Sequence, residues 1–177
     1  MSTRLIESRP GSRPVTAPAP RSTLTWLERL VDTPPSLSLS FGRLMLGGVM
    51  FPHACQKVFG AFGGPGFSAT LDSFRQHMGI PSVLAVLVIL AEFFGSIGLI
   101  LGLLGRVSAA CIMAVMIGAV ALVHAKIGFF MNWMGTGKGE GWEYHALAIG
   151  LAAILMARGS GVCSVDRWLK DRLHPKI

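Results

Sequence analysis

Two long apolar runs, separated by two residues, constrain this chain more than any other feature. They are VLAVLVILAEFFGSIGLILGLL at residues 83–104 and VSAACIMAVMIGAVALVHA at residues 107–125. Each has about the length that a hydrocarbon core of roughly 30 Å requires, and each is apolar on every face. A buried hairpin of a soluble protein is the alternative, but a chain of 177 residues with 14% charged side chains has little polar surface to cover it. We therefore predict that both runs span a membrane.

Two weaker apolar runs extend this pattern to four spans. Residues 36–59 form the first, and residues 142–157 form the last and shortest. The chain is 51% hydrophobic and has a mean hydropathy of +0.56. Charged residues make up 14% of it, against about 25% in a typical soluble domain. We predict an all-α fold in which residues 34–162 form one domain, a four-helix transmembrane bundle.

Shorter segments flank the predicted spans. Residues 1–21 are rich in Pro, Ser and Arg and have no apolar run, which predicts a disordered cytoplasmic tail. Apolar residues at helical spacing predict an interfacial helix over residues 22–33 and an amphipathic cytoplasmic tail over residues 163–177, with Ser164 as its N-cap. A further interfacial helix, with Phe74 on its apolar side, is predicted after the first span, where it would cover the outer mouth of the bundle.

Basic residues are concentrated on one predicted side of the membrane. Twelve of the sixteen Lys and Arg residues fall at the amino end, in the second connection or at the carboxyl end. With four spans, this distribution places both termini in the cytoplasm under the positive-inside rule. We predict a multi-pass protein of a bacterial inner membrane that contacts the lipid bilayer. The net charge of +7 is explained by this orientation, and no pattern of a nucleic-acid-binding fold is present, so no nucleic-acid partner is predicted.

Glu92 lies near the middle of the second predicted span. An ionised carboxylate there costs on the order of 3 kcal/mol on insertion scales, so Glu92 should be protonated, paired or directed into an internal cavity. One interpretation is a functional site, and the other is a clamp that joins two helices. At 1.5 Å per residue, Arg43 and His53 of the first span come within reach of Glu92 if the two helices are neighbours.

The other ionisable residues of the spans lie at similar predicted depths. His53 and His124 are each seventeen residues from the start of their spans, and the fourth span begins on the same outer side. We therefore predict one outward-facing polar site. The candidates for proton handling are Glu92, His53 and His124, and the candidates for ligand binding are Arg43, Gln56, Lys57, Glu143, Tyr144 and His145.

These residue types do not encode a redox centre of their own. The three cysteines form no CxxC motif, and we predict a packing role for them and no metal site. A haem held by His53 and His124 is the less favoured alternative. A quinone is the cofactor that a cavity with a carboxylate, two imidazoles and an amine could serve, since these groups can bind its carbonyl oxygens and move protons.

Six motifs, in this order and spacing, resemble the DoxX family of integral membrane proteins over about residues 36–170. They are RLMLG, HACQKVFGAFGGPG, AEFFGSIGLILGLLGR, VHAKIGFFMNW, EYHALA and GSGVCSVD. Ala54, Ser96 and Gly105 depart from common family residues, but these are exchanges among small residues. The resemblance implies a four-helix membrane protein, often described as an oxidoreductase. The resemblance also implies relatives among the small subunits of thiosulfate:quinone oxidoreductase and among proteins linked to oxidative-stress complexes or quinone detoxification.

The resemblance and the polar site together lead to a functional expectation. We expect a redox-linked subunit of a membrane oxidoreductase system that handles a quinone or a small sulfur or phenolic compound, with other membrane or periplasmic subunits as partners. A non-catalytic scaffold or assembly subunit is the second hypothesis. A small-solute transporter is a third, although the halves of the chain show no convincing inverted repeat.

Overall fold

The described part of the protein, in a computed structural model, comprises residues 26–137 and 139–173. These two ranges are all-helical and contain no strand. Seven α-helices form in them, with single 3-10 turns at Ala61–Gly63 and His124–Lys126: α1 Trp26–Val31, α2 Leu37–Phe59, α3 Gly66–Gln76, α4 Ser82–Leu101, α5 Gly105–Leu122, α6 Glu143–Arg158 and α7 Val165–Leu173.

Helix α2 has clear end signals in the sequence. The Ser36 hydroxyl accepts a hydrogen bond from the Leu39 amide at 3.3 Å, which satisfies one of the amides left free at a helix start. Gly60 ends the helix with a φ of 70°, a conformation that favours glycine. Between these caps the helix continues through Pro52.

The longest helices pack around one core. Helix α2 packs against α4 and α6, and α5 packs against the same two helices. The buried apolar residues between them are Leu46, Met50, Leu99, Ala109, Ile112, Met116, Ala148, Ala152 and Leu155. At Gly47, an added Cβ would lie 3.0 Å from the Cβ of Leu99 and 3.0 Å from the backbone nitrogen of Ile100, so α2 and α4 approach each other closely there.

Among the described residues, α4 and α5 are the helices long and apolar enough to cross a membrane, by length and composition. They correspond to the predicted second and third spans. The outer surfaces of α2 and α6 also carry large apolar side chains, including Leu37, Phe41 and Leu147, which are 78%, 68% and 74% exposed. Membrane spans formed by α2 and α6 stay a prediction.

Asp166, near the start of α7, holds the beginning of α5. Its carboxylate accepts hydrogen bonds from the amides of Leu104 and Gly105 at 2.7 and 2.8 Å. The Ser160 hydroxyl donates to the same carboxylate at 2.6 Å. Asp166 is 1% exposed, so this negative charge is buried at the positive end of the α5 dipole.

The flanking helices α1 and α7 lie within the segments predicted for them. Helix α1 falls within 22–33, while residues 1–25 and 174–177 lie outside the described residues. The helix predicted after the first span forms as α3. Ser164 caps α7 as predicted, because its hydroxyl accepts a hydrogen bond from the Arg167 amide at 3.2 Å. The predicted domain boundaries and the interfacial location of these helices stay predictions.

Candidate functional site

A cavity of about 820 Å³ lies among five of the helices. This volume is within the range of roughly 300–1,000 Å³ that is usual for small-molecule sites. Helices α2 to α6 and the connection between α5 and α6 supply its walls, which are mainly apolar. The charged residues, histidines and tyrosine in the lining are His53, Lys57, Glu92, His124, Glu140, Tyr144 and His145.

An ion pair between α2 and α4 lies in the cavity wall. Lys57 Nζ is 2.5 Å from Glu92 Oε2. The side chain of Glu92 is fully buried and that of Lys57 is 29% exposed, so the amine extends from a partly accessible position to a buried acid. The second oxygen, Glu92 Oε1, is buried without a hydrogen-bond partner. A buried oxygen in this state costs about 1–3 kcal/mol.

Two histidines from different elements meet in the same wall. The ring centroids of His124 and His145 are 4.1 Å apart, with an angle of 39° between the ring planes. His124 Nδ1 lies 2.7 Å from the backbone oxygen of Glu140. A carbonyl oxygen can only accept, so His124 donates through Nδ1, and its Nε2 is the acceptor when the ring is neutral. His145 Nδ1 is buried without a hydrogen-bond partner.

Tyr144 lies between the histidines and the core. Its ring centroid is 6.4 Å from that of His53 and 5.4 Å from that of His145. Its hydroxyl oxygen is 3.2 Å from Met50 Sδ. A thioether is a weak acceptor, so the tyrosine hydroxyl can donate its hydrogen bond to a ligand instead at little cost.

The connection between α5 and α6 forms another part of the wall. The carboxylate of Glu140 accepts a hydrogen bond from the Asn132 amide at 2.8 Å, and that of Glu143 accepts one from the Met131 amide at 3.0 Å. These bonds fold the connection back on itself, with Met131 and Trp133 lining the cavity. Glu143 therefore shapes the connection, and it is not among the lining residues.

Six of the nine residues predicted for the site line one cavity: Glu92, His53, His124, Lys57, Tyr144 and His145. Arg43, Gln56 and Glu143 do not line it. Gln56 Nε2 instead donates to the Phe62 backbone oxygen at 3.4 Å, beside the glycine turn after α2. Whether any of the six binds a ligand stays a prediction.

Arg43 is the clearest departure from the predicted site. Its guanidinium donates hydrogen bonds to four backbone oxygens, those of Leu99, Ile100, Ser160 and Cys163, at 2.5–3.1 Å. The last carbonyls of α4 lack the donors that a following helical turn would supply. The Leu99 oxygen accepts from the Gly102 amide at 3.2 Å, and Arg43 adds a donor to it and to the Ile100 oxygen. Depth along α2 predicted that Arg43 could reach Glu92, but its hydrogen-bond partners are at the opposite end of α4 from the cavity.

Two residues of the cavity wall were missed in the sequence. Met131 and Trp133 are in a connection without helical or strand periodicity, and the VHAKIGFFMNW motif that contains them was a signal for the family and not for the cavity. Away from the site, Asp166 is in the GSGVCSVD motif, but its bond to the start of α5 depends on tertiary contacts.

Within 26–137 and 139–173, no group of three or more His, Cys, Asp or Glu side chains could hold a metal ion. Cys55, Cys111 and Cys163 are free thiols, and Cys111 lines the cavity. The ring packed on His124 is His145, and the ring nearest His53 is Tyr144.

Comparison with known proteins adds one match. The model of the DoxX family matches residues 38–125. This segment extends from α2 to the 3-10 turn after α5, and it contains His53, Lys57, Glu92 and His124. No curated protein and no solved structure matches the chain.

Proposed function

The chain belongs to the DoxX family and is a membrane protein, and on this basis we propose that it is a redox-linked subunit that binds a quinone near the outer leaflet of a bacterial inner membrane. A small sulfur or phenolic compound is the alternative ligand. The protein is multi-pass, with α2, α4, α5 and α6 as its four spans and both termini in the cytoplasm.

The buried Glu92 is the observation that carries this proposal. One carboxylate oxygen is paired with Lys57, while the other is buried in the cavity wall without a partner. A clamp between helices would be expected to satisfy both oxygens, because an unsatisfied one is costly in the protein interior. A ligand that donates a hydrogen bond, such as the hydroxyl of a hydroquinone, would satisfy Oε1.

The remaining polar groups suit the other steps of quinone chemistry. Reduction of a quinone to a hydroquinone takes up two electrons and two protons. Tyr144 and Lys57 can donate hydrogen bonds to quinone carbonyls, and Glu92, His53 and His124 are the candidates for handling the protons. Lys57 is partly exposed, which provides a route from the buried acid toward the outside.

The electrons come from a partner or from the second substrate, because the chain encodes no cysteine cluster for electron transfer. Another membrane or periplasmic subunit, or a small sulfur compound bound beside the quinone, would supply them. In this reaction the chain binds the quinone and manages its protons.

The exposed apolar surfaces support four spans. Helices α2 and α6 each expose several large apolar residues, and soluble proteins rarely expose contiguous apolar patches of this extent. Lipid tails would cover these surfaces at no cost. The 23 residues of α2 would also span roughly 34 Å, more than the thickness of the hydrocarbon core.

The test compares quinone retention and reduction in matched variants. Wild-type protein, Glu92→Gln and Arg75→Gln are purified in mild detergent, and bound quinone is extracted and identified by its absorbance before and after borohydride. Arg75 is the control, since it is charged but absent from the cavity lining. Membranes containing each variant are also assayed for quinone reduction with a small thiol as electron donor.

We expect wild type and Arg75→Gln to retain quinone and to raise the reduction rate above that of empty membranes. Glu92→Gln should retain less quinone and lose most of the added rate, because Oε1 is lost as a proton acceptor. Absence of quinone from the wild-type protein, together with equal reduction rates in all membranes, would exclude the proposed function.

A scaffold function is the second candidate, and the 2.5 Å contact between Lys57 and Glu92 favours it. In that case the ion pair stabilises the contact of α2 with α4 for assembly with other subunits. The scaffold hypothesis predicts that Glu92→Gln lowers thermal stability or the yield of a complex without a ligand-specific effect.

A further inference from the structure

We infer that the ligand of this cavity enters laterally from the bilayer, through a cleft between α4 and α5. The ligand carries a long apolar chain that occupies this cleft. The inference rests on the proposed function, which supplies the quinone ring. It adds the route of entry and the class of ligand, a membrane-dissolved amphiphile and not a water-soluble quinone or phenol.

The cavity has a polar part suited to a ring with hydrogen-bonding groups. Glu92 Oε1 and His145 Nδ1 are buried and have no hydrogen-bond partner in the described protein. Both residues line the cavity, as does Tyr144. These groups are among the polar contacts available to the head of a ligand, together with Lys57, and most of the other lining residues are apolar.

The outer halves of α4 and α5 form an apolar part that reaches the surface. Leu84 and Leu87 of α4 and Leu122 of α5 line the cavity, yet they are 51%, 56% and 48% exposed. Ala114 of α5 is likewise both exposed and part of the lining. Residues that face both the cavity and the surface mark an opening. Trp133, in the connection between α5 and α6, is one such residue, while the four residues named above mark an apolar opening between α4 and α5, the two helices that are long and apolar enough to cross a membrane.

The packing of α4 on α5 explains why the cleft opens in this half. Nearer the other end of the pair, a Cβ added at Gly95 would lie 3.2 Å from Ile112 Cδ1 and 3.3 Å from the Ser108 backbone oxygen. The helices are therefore in close contact there. At Gly118, which lines the cavity, an added Cβ would meet no atom within 4 Å. This space beside Gly118 is where we place the apolar chain.

The chemistry of the cleft selects one occupant. Its walls offer an apolar chain contacts equivalent to those of lipid, so a long-chain ligand can move from bilayer to cleft without exposure to water. A small polar solute would lose its hydration against Leu84, Leu87 and Leu122 and gain no polar contact. Once the apolar chain is in the cleft, the ring lies in the cavity and binds the unpartnered polar atoms.

A photoreactive quinone tests this route. The probe carries a diazirine on the apolar chain near the ring, and it is incorporated with the full-length protein into lipid nanodiscs, irradiated and mapped by peptide mass spectrometry. The variants are Gly118→Leu, which fills the cleft, and Gly48→Leu, whose position in α2 also has no atom within 4 Å of an added Cβ but does not line the cavity. Binding of a short-chain quinone analogue is measured in parallel by quenching of tryptophan fluorescence, with Trp133→Phe to identify the cavity signal.

We expect wild type and Gly48→Leu to form adducts at residues 84–91 and 114–122, and an excess of unlabelled long-chain quinone should suppress them. Gly118→Leu should reduce these adducts by about tenfold or more, since a filled cleft cannot admit the chain without overpacking. It should still bind the short-chain analogue, which shows that the variant is folded and that the polar part of the site is intact.

Three other outcomes separate the inference from the proposed function. Binding of the short-chain analogue without adducts in the cleft, or with adducts that Gly118→Leu does not change, would overturn lateral entry and leave quinone binding in place. Absence of both adducts and short-chain binding in the wild-type protein would overturn both. Loss of a co-purifying membrane subunit in Gly118→Leu, with unchanged quinone adducts, would assign the cleft to a partner helix and reject the inference.

Discussion

At the scale of single residues, the pairing of Glu92 with Lys57 explains how a carboxylate is accommodated in a helix of membrane-crossing length. The acid is fully buried, and its partner approaches from the last turn of α2. Much of the charge penalty is offset through Oε2, while Oε1 is left for another donor. Both partners are needed for this balance, because either charge alone would be costly at this position.

The first prediction concerns this pair. Lys57→Met should lower the free energy of unfolding by about 3 kcal/mol, near the lower end of the range for breaking buried pairs, because Lys57 is 29% exposed and the pair is only partly desolvated. The double variant Lys57→Met/Glu92→Gln should recover part of the loss. Denaturation in detergent solution measures both changes.

The control for the first prediction is Arg75→Met. Arg75 is 4.0 Å from Asp72, and both side chains are 54% exposed, so this pair should contribute no more than about 1 kcal/mol. Equal destabilisation by Lys57→Met and Arg75→Met would show that the buried pair does not stabilise the helix contact.

The second prediction concerns the cap of α5. In Asp166→Asn, one carboxylate oxygen becomes an amide group that cannot accept from the Leu104 or Gly105 amide. We expect a loss of about 1–3 kcal/mol in the free energy of unfolding, as for other buried donors left without a partner. Ligand binding should be unchanged, since Asp166 does not line the cavity.

Asp171→Asn is the matched variant for that measurement. Asp171 is in the same helix, is 55% exposed and pairs with Arg167 at the surface, so the change should be within about 1 kcal/mol. A loss in Asp171→Asn as large as in Asp166→Asn would argue against the cap.

At the scale of helices, close packing depends on small residues at particular positions. Gly47 lets α2 approach α4, and Gly95 lets α4 approach α5. Gly48, next to Gly47 in the sequence, has no neighbouring atom within 4 Å of an added Cβ. The two adjacent glycines therefore have different structural roles, which a local sequence pattern does not reveal.

The third prediction uses this pair of glycines. Gly47→Ala should destabilise the protein by about 1–3 kcal/mol, because the new methyl group would meet both backbone and side-chain atoms of α4 at 3.0 Å. Gly48→Ala should be neutral or stabilising by up to about 1 kcal/mol, since alanine favours the helix. Thermal unfolding in the same detergent compares the two, and a reversed order would contradict the close contact of α2 with α4.

At the scale of the whole molecule, the proposed topology places the cavity toward the outside and the Arg43 and Asp166 interactions toward the cytoplasm. The basic residues of the sequence favour this orientation. In this topology Cys163, which is exposed, would lie near the cytoplasmic end, and Trp133, which is 81% exposed, would lie in the connection on the outer side. These two positions can therefore report on opposite sides of the membrane.

The fourth prediction tests that orientation with a membrane-impermeant maleimide. In a variant that keeps Cys163 alone, labelling should require permeabilised cells. In a cysteine-free background with Trp133→Cys, labelling should occur in intact spheroplasts. Labelling of Cys163 in intact spheroplasts, with protection of the cysteine at position 133, would reverse the proposed orientation.

Several features followed from the sequence alone because they depend on composition and on position along a helix. The length and apolar content of residues 83–104 and 107–125 predicted helices suited to a bilayer, and α4 and α5 have these properties. Depth counted at 1.5 Å per residue predicted that His53, His124 and Glu92 could meet, and they line one cavity. The family was also recognisable from its motifs, and a family match over residues 38–125 confirms it.

Other features were decided only by the tertiary structure, since depth along a helix does not specify rotation about its axis or the identity of its neighbours. For this reason Arg43 was expected in the polar site but binds the carbonyls at the end of α4 instead. The choice of Lys57 as the partner of Glu92, the stacking of His124 on His145 and the open space beside Gly118 likewise depend on which helix faces meet. The sequence determined that the chain suits a membrane and carries ionisable groups at one depth, whereas helix packing decided which of those groups share a cavity.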